Sequence, residues 1–444
     1  ATSVNWQWTV SFSSECWKED GVYEIYSKTY DQAEIGGNIE DNYEVDKITV
    51  TIDNTPPTSG LLFPNKTIHN SIPLISGTAD DNSPVKLNEI QLEILELDST
   101  WYWQGGGWDF NAPKWNSSAS DANFTLFTSS WQYTGLTAAN WQTPPGNRFR
   151  IRHQAKDKAG NTESPGAGLT FIYDYTLPAS AVTLPQENIA YSSITLTLIQ
   201  GTADDPSVKT RTGVSTTVAL NEGVNIALKG TTTGFYNSTN WGDTSYYWFT
   251  TNYDSTTIAW SRLTSIIGTF DATADPPDGT YLIIPRAKDN AGNFEVAFNT
   301  RTFIWDNTAP TSFTNSPSSG SYVASLSQIS GTANENLAGL DKVYLYLIRA
   351  DNGYYWTGSS WTIDAGNYLS VTMASEVGIS TWTITTSPTL ADGTTYYLRT
   401  VARDFAGNQQ SPYTETKFIC DKQGPSVAIK LPSPSIPRYS SLPT

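Results

Sequence analysis

Aspartates recur along the chain in three motifs whose carboxylates could together bind a hard cation. The motifs are a junction Asp followed by Thr and Pro, an acidic pair after Gly-Thr-Ala, and the turn Asp-x-Ala-Gly-Asn. Calcium takes about six to eight oxygen ligands and tolerates irregular geometry, so converging carboxylates suit it. The candidate ligands are Asp53, Asp80, Asp81, Asp157, Asp174, Asp204, Asp205, Asp289, Asp306, Glu335 and Asp404.

The same motifs have a purely structural interpretation, which stays open. Asp and Asn favour turns because their side chains accept backbone N–H groups, and Gly160, Gly292 and Gly407 can supply positive φ. The third repeat replaces the acidic pair by Asn334-Glu335, and the fourth junction carries Lys422. We therefore expect any calcium site to weaken toward the C-terminus.

Composition excludes several function classes. The chain has 444 residues, with 26 Lys and Arg against 43 Asp and Glu, and the net charge of −17 argues against a nucleic-acid partner. Two His and two Cys leave little for histidine metal sites, Ser-His-Asp triads or Cys-His catalysis. No acid–base pair stands apart from the turn motifs, so we predict a non-catalytic protein. No apolar run is long enough to span a membrane.

Ordered repetition sets the domain organisation. The junction motif begins at Asp53, Asp174 and Asp306 and returns in degraded form at Asp421, and the junctions lie 115 to 132 residues apart. That spacing suits a whole β-sandwich. The predicted domains are the second half of a unit at 1–52, complete units at 53–173, 174–305 and 306–420, and the start of another at 421–444.

Alternating apolar and polar residues predict strands, and one strand has an immunoglobulin signature. An aromatic stands eight residues before each turn aspartate, and an aliphatic residue follows two positions later, where antibody domains keep a cysteine. The aromatics are Phe149, Tyr281 and Tyr396. The two cysteines, Cys16 and Cys420, fall in different predicted domains, so a bond between chains and two free thiols are the alternatives. The fold class is all-β, with tandem Ig-like sandwiches in an elongated array.

In an Ig topology the incoming linker, the loop after the second strand and the loop before the last strand meet at one pole of the domain. The three acidic motifs lie on these segments, so we expect them to converge at each junction. Calcium at the junctions is therefore the predicted cofactor, with capping of turns as the alternative.

With the junction, the Ser-Gly-Thr-Ala strand and the Asp-x-Ala-Gly-Asn turn in register, the chain resembles bacterial Ig-like (Big-type) tandem repeats of large cell-surface proteins and adhesins. The resemblance covers essentially the whole chain. It implies an extracellular location at the cell surface. It also implies stiffening of joints by calcium, as in related surface arrays and cadherin-like proteins.

Aromatic hairpins form a second candidate site. Tryptophan and tyrosine on an open face can stack on sugars or contact a protein. The alternative is that one ring fills the core while its neighbour shields a strand edge. The candidate binding residues are Trp103, Trp108, Trp248, Trp356 and Trp361.

The leading functional hypothesis is an extracellular structural segment of a stalk, fibre or filament, with copies of itself or other surface proteins as partners. The alternatives are an adhesin segment that binds glycans or a host protein through the aromatic hairpins, and an accessory region of a large secreted enzyme.

Overall fold

The computed structural model describes residues 5–429, apart from 10–16, 19–20, 33–38, 41–46, 82–85, 111, 145–146, 206–211, 264–275 and 375–376. Cys16 and positions 430–444 of the last predicted domain lie outside the described residues. Regular structure in the described part is almost entirely β-strand, arranged as tandem Ig-like sandwiches, which confirms the predicted all-β class and the Ig-like fold of its domains. No helix there is long and apolar enough to cross a membrane.

A two-stranded antiparallel sheet precedes the first sandwich and consists of β1 (Val22–Tyr26) and β2 (Lys47–Thr51). The strands of the first sandwich are β3 (Thr58–Phe63), β4 (Ile68–His69), β5 (Ile75–Asp80), β6 (Leu87–Glu96), β7 (Trp101–Trp103), β8 (Trp108–Phe110), β9 (Asn116–Ser117), β10 (Phe124–Leu126), β11 (Ser130–Tyr133), β12 (Arg148–Asp157) and β13 (Leu169–Tyr173). A short helix, α1 (Ala138–Gln142), lies between β11 and β12.

Two sheets form the first sandwich, with strand orders β10-β11-β5-β3 and β4-β13-β12-β6-β7-β8, and β9 also pairs with β6. The first strand therefore pairs with the second in one sheet, and its continuation, β4, crosses to pair in parallel with the last strand, β13. Alternation along β12 buries Phe149, Ile151 and Ala155 against Ile75 and Trp131 of the facing sheet.

The second sandwich repeats this plan, with strand orders β14-β16-β22-β21 and β15-β24-β23-β17-β18-β19, and β20 beside β17. Its strands are β14 (Ala179–Leu184), β15 (Ala190–Tyr191), β16 (Leu198–Asp204), β17 (Val224–Gly230), β18 (Gly234–Tyr236), β19 (Trp241–Asp243), β20 (Phe249–Thr250), β21 (Asn252–Asp254), β22 (Ala259–Leu263), β23 (Gly279–Ala287) and β24 (Arg301–Trp305).

The third sandwich has strand orders β25-β27-β32 and β26-β34-β33-β28-β29-β30, with β31 beside β28. Its strands are β25 (Thr311–Ser316), β26 (Ser321–Val323), β27 (Gln328–Glu335), β28 (Leu340–Arg349), β29 (Tyr355–Trp356), β30 (Trp361–Thr362), β31 (Leu369–Thr372), β32 (Gly378–Thr385), β33 (Thr395–Asp404) and β34 (Thr414–Cys420).

Two compact units are distinguished within the chain. The first holds the first sandwich and consists of Ala1–Ala179, Asp204–Ser215 and Lys288–Val296. The second holds most strands of the other two sandwiches and consists of Ser180–Ala203, Thr216–Ala287 and Ala297–Thr444.

The predicted aromatic of strand F anchors two corners. Tyr281 Oη donates to the carbonyl of Pro277, and Tyr396 Oη accepts the N–H of Ala391 at 2.8 Å. Two residues after these tyrosines, Ile283 and Leu398 are fully buried, so burial replaces the antibody disulfide. The Cys420 thiol is fully buried and forms no disulfide with the residues that the structure describes.

Candidate functional site

The junction aspartates fold their own linkers into turns. Each is buried, and its Oδ1 accepts the backbone N–H of the residue two positions later, which is the Asx-turn arrangement. The pairs are Asp53 with Thr55 at 3.0 Å, Asp174 with Thr176 at 3.0 Å, and Asp306 with Thr308 at 2.9 Å.

The Asp-x-Ala-Gly-Asn turn ties each linker to its domain. The turn aspartate accepts the backbone N–H of the Asn four residues later, and its Oδ2 accepts the side-chain Nδ2–H of the same Asn. That Nδ2 also donates to the carbonyl of the junction aspartate. The three links are Asn161 to Asp53 at 3.0 Å, Asn293 to Asp174 at 2.9 Å, and Asn408 to Asp306 at 2.8 Å.

The acidic motifs converge at the junctions. In each of three clusters the three carboxylates offer oxygens that lie within 4.8 Å of one another. The clusters are Asp53, Asp81 and Asp157; Asp174, Asp205 and Asp289; and Asp306, Glu335 and Asp404. Nine of the eleven predicted ligands are thus brought together. Asp80 and Asp204 instead accept the N–H of the next residue, at 3.0 Å in both cases. Metal binding itself stays a prediction.

Burial leaves carboxylates of the third cluster with an unusual affinity for protons. Desolvation, followed by the neighbouring charges of Glu335 and Asp278, raises the pKa of Asp306 to about 6. Desolvation and the charge of Asp306 raise the pKa of Asp404 to about 6. In the second cluster, burial and the charge of Asp174 raise the pKa of Asp289. Close carboxylates without a cation favour the protonated form.

We expect acidification to stabilise the third cluster. Because the folded pKa of Asp306 is raised above its ordinary 3.8 to about 6, the folded state holds this proton more tightly than the unfolded state. The contribution is fully present below the unfolded pKa and is lost as the pH rises through the folded pKa. Urea unfolding of the third sandwich, measured in chelator, should show wild type losing stability relative to Asp306→Asn between pH 4.5 and pH 7.5. If the difference in unfolding free energy between wild type and Asp306→Asn stayed the same across this pH range, the raised pKa of Asp306 would be contradicted.

Two of the predicted aromatic binding residues lie in the core, so their assignment to a binding surface is wrong. Trp103 is 1% exposed and Trp356 is 5% exposed. Their indole N–H groups donate inward at 2.7 Å, Trp103 to Tyr133 Oη and Trp356 to Thr386 Oγ1. Alternation along the hairpin strand turns these rings toward the facing sheet, as the alternative interpretation expected.

The other three tryptophans are half-buried, and their rings contact side chains of their own sandwiches. Trp108 packs edge-on against Trp103 and Trp141, and Trp361 packs against Trp356 and Tyr396. Trp248 stacks on Tyr246 at 5.3 Å, and the Arg286 guanidinium lies 4.0 Å from its ring centroid.

One contact brings together a serine, a histidine and a glutamate without forming a catalytic triad. Ser59 Oγ lies 2.7 Å from His153 Nδ1, but Glu163 hydrogen-bonds to Ser59 instead of the imidazole. Triad chemistry needs the carboxylate on the far ring nitrogen. The third sandwich joins Ser312 to Gln410 at the same place without a histidine, at 2.7 Å. The contact therefore fastens the first strand to the segment before the last strand.

The sequence did not reveal the partners of the Gly-Thr-Ala motif. Each motif glycine pairs across the strands with a buried tryptophan whose ring lies against its Cα. The pairs are Gly77 with Trp131, Gly201 with Trp260, and Gly331 with Trp382. A tryptophan 22 to 29 residues before each turn aspartate was the available signal.

No family model matches the chain, and no curated protein matches it. Solved structures similar to it include the FN1–FN3 domains of chicken CNTN1, at 12% identity and TM-score 0.26, covering 83% of this chain and 99% of that chain. A marsupial T cell receptor matches at 8% identity and TM-score 0.32, covering 81% and 98%. Drosophila N-cadherin EC1-4 matches at 11% identity and TM-score 0.21, covering 92% and 86%. The assignment of the chain to Ig-like repeats rests on its own strand order.

Proposed function

We propose that this chain is a non-catalytic segment of an extracellular stalk, fibre or filament at a cell surface, of the bacterial Ig-like repeat kind. Its domains would begin at Asp53, Asp174, Asp306 and Asp421, and its partners would be copies of itself or other surface proteins. In a stalk or fibre, each domain has to keep a fixed orientation relative to the next one. Successive domains therefore need contacts beyond the covalent linker.

The observation that carries the proposal is a set of hydrogen bonds between the second and third sandwiches, which we call the joint. Ser192 Oγ and Thr195 Oγ1 both donate to the carbonyl of Ala406, at 2.9 and 3.0 Å, within the turn motif of the next domain. The Ser193 N–H donates to Asn307 Oδ1 of the linker at 2.9 Å. Ser192 and Ala406 are both fully buried. Hydrogen bonds that are shielded from water hold the two domains in one arrangement.

The turn glycine allows this close approach. A Cβ on Gly407 would lie 2.9 Å from Thr195 Cγ2, and the φ of +96° also disfavours a side chain there. The preceding junction has a related arrangement, in which a Cβ on Gly292 would lie 3.5 Å from Asn70 Nδ2. In the second and third sandwiches the turn motif thus contacts both its own linker and the preceding sandwich.

The adhesive alternative has less support. Ligand stacking needs open aromatic faces, whereas Trp103 and Trp356 are buried and Trp248 has Arg286 and Tyr246 against its ring.

Loss of the joint contacts should loosen the arrangement of the second and third sandwiches. We expect Ser192→Ala combined with Thr195→Val to broaden the distance distribution between spin labels at Thr202→Cys and Thr383→Cys. Pulsed electron paramagnetic resonance on the full chain, with Cys16→Ser to avoid a third label, measures that distribution. The unaltered joint should give a narrow one.

Thr231→Val is the matched control, because Thr231 Oγ1 also donates to a backbone carbonyl, that of Thr280 at 3.1 Å, but away from the joint. It should leave the distribution narrow. A distribution that is equally broad with and without the joint contacts would reject the structural role assigned to the joint.

A further inference from the structure

The three acidic clusters differ in how their carboxylate oxygens are satisfied. The clusters differ at Oδ2 of the junction aspartate, because Oδ1 accepts a backbone N–H of the linker turn in all three. A buried carboxylate oxygen without a donor is costly, so the chain must either supply a donor or bind a cation there.

The second cluster is closed by a threonine. Thr212 Oγ1 hydrogen-bonds to Asp174 Oδ2 and lies 3.0 Å from Asp205 Oδ2. The Gly213 N–H also donates to Asp205 Oδ2 at 3.1 Å. The hydroxyl and the amide therefore give Oδ2 of Asp174 and Oδ2 of Asp205 a hydrogen-bond donor each, so neither oxygen is left unsatisfied.

Backbone amides close the third cluster. The Ala338 N–H donates to Asp306 Oδ2 at 3.1 Å. The N–H groups of Asn336 and Leu337 donate to Glu335 Oε1 at 2.7 and 2.8 Å. These donors satisfy the carboxylates of Asp306 and Glu335 without a metal.

The first cluster is different. Asp53 is 7% exposed, and its Oδ2 has no hydrogen-bond partner in the part of the chain that the structure describes. The equivalent oxygens of Asp174 and Asp306 both have donors. Neither Asp53 nor Asp157 forms an ion pair with a Lys or Arg among the described residues.

We propose that Asp53, Asp81 and Asp157 form a calcium site and that the second and third clusters do not bind calcium. The donor set is oxygen alone, which excludes a preference for soft or imidazole-binding metals. Calcium–oxygen bonds of about 2.4 Å let one ion reach oxygens that lie up to 4.8 Å apart, whereas magnesium, at about 2.1 Å, demands a tighter octahedron. The inference goes beyond the proposed function, because a cation site is compatible with any role for the chain.

Isothermal titration of the chelator-treated full chain with calcium chloride tests the site. We expect one calcium per chain, and at least about tenfold weaker binding for Asp53→Asn, since affinity follows the charge of the ligands. Asp174→Asn and Asp306→Asn alter the same linker position in the closed clusters and should keep the one site. Magnesium chloride should bind more weakly than calcium.

Asp81→Asn provides a second variant if Asp53→Asn fails to fold, which circular dichroism and calorimetry would reveal. It also should weaken binding at least about tenfold. No calcium binding by the wild type would overturn the proposal. Binding of three calcium ions per chain, with the affinity lowered equally in the Asp53, Asp174 and Asp306 variants, would overturn it too. The second and third clusters would then also bind calcium. The spin-label experiment reports on the joint contacts, so the two proposals fail separately.

Discussion

Gly77→Ala is expected to destabilise the first sandwich strongly. A Cβ at this position would lie 2.0 Å from the carbonyl oxygen of Gly60 and 2.4 Å from Trp131 Cζ2. The oxygen belongs to the neighbouring strand and cannot move without breaking the sheet. Overpacked cores usually lose about 1–3 kcal/mol, and a contact with backbone places this case at or above the upper end, at about 3 kcal/mol or more.

Hydrogen exchange followed by mass spectrometry on the full chain measures this effect domain by domain. Protection should decrease in β5 and β11 and stay unchanged in β27 and β32 of the third sandwich, which serves as the internal reference. Gly166→Ala is the matched control, because nothing lies within 4 Å of its added Cβ and its φ is not positive. Full protection of β5 in Gly77→Ala would show that the strand can shift to accept a methyl group.

Asp289→Ala should cost about 3–5 kcal/mol, because three donors lose one acceptor group in a buried site. Asp289 is 1% exposed. It accepts the N–H of Gly292 at 2.7 Å, and from Asn293 both the backbone N–H and the side-chain Nδ2–H, each at 2.8 Å. Without that carboxylate, Asn293 loses the group that aims its Nδ2 at the carbonyl of Asp174.

Asp289→Asn separates shape from acceptor capacity. It keeps the size of the side chain but replaces one acceptor by an NH2 group that faces the donors of Asn293, so its loss should be intermediate. Asp254→Ala provides an exposed comparison, since Asp254 also caps a turn, through the N–H of Thr256 at 2.8 Å, and should change stability little. Calorimetry of the full chain measures the order. Equal values for Asp289→Ala and Asp254→Ala would contradict the buried network.

Sequence patterns specify most of this fold because burial acts at a fixed period. Phe149 and Ile151 alternate with arginines, and that pattern alone placed strand F and its inward face. The crossing of the first strand was not predictable, because β4, β15 and β26 contain only two or three residues each and carry no period. A tryptophan ahead of the turn motif was visible in the sequence, but its pairing with Gly331 was not predictable, because register sets that pairing.

The candidate site was predictable in position but not in chemistry. The Ig topology puts the three acidic motifs at one pole of each domain, which predicted that Asp306 and Asp404 converge, and they do. Whether a carboxylate meets a donor depends on loop conformation, as Thr212 and Ala338 show, and no sequence period reports it. The aromatic hairpins were ambiguous because alternation buries every second ring, and residue type alone does not say which face of a strand is the core.

The crossing of the first strand bears on how each sandwich would resist force. β4, β15 and β26 pair in parallel with β13, β24 and β34, the last strands of their sandwiches. Tension applied through the two linkers of a domain pulls these neighbours in opposite directions along their length. The hydrogen bonds between them are then loaded in shear and must break together instead of one after another. Mechanical strength would therefore reside at the edge where each domain begins and ends.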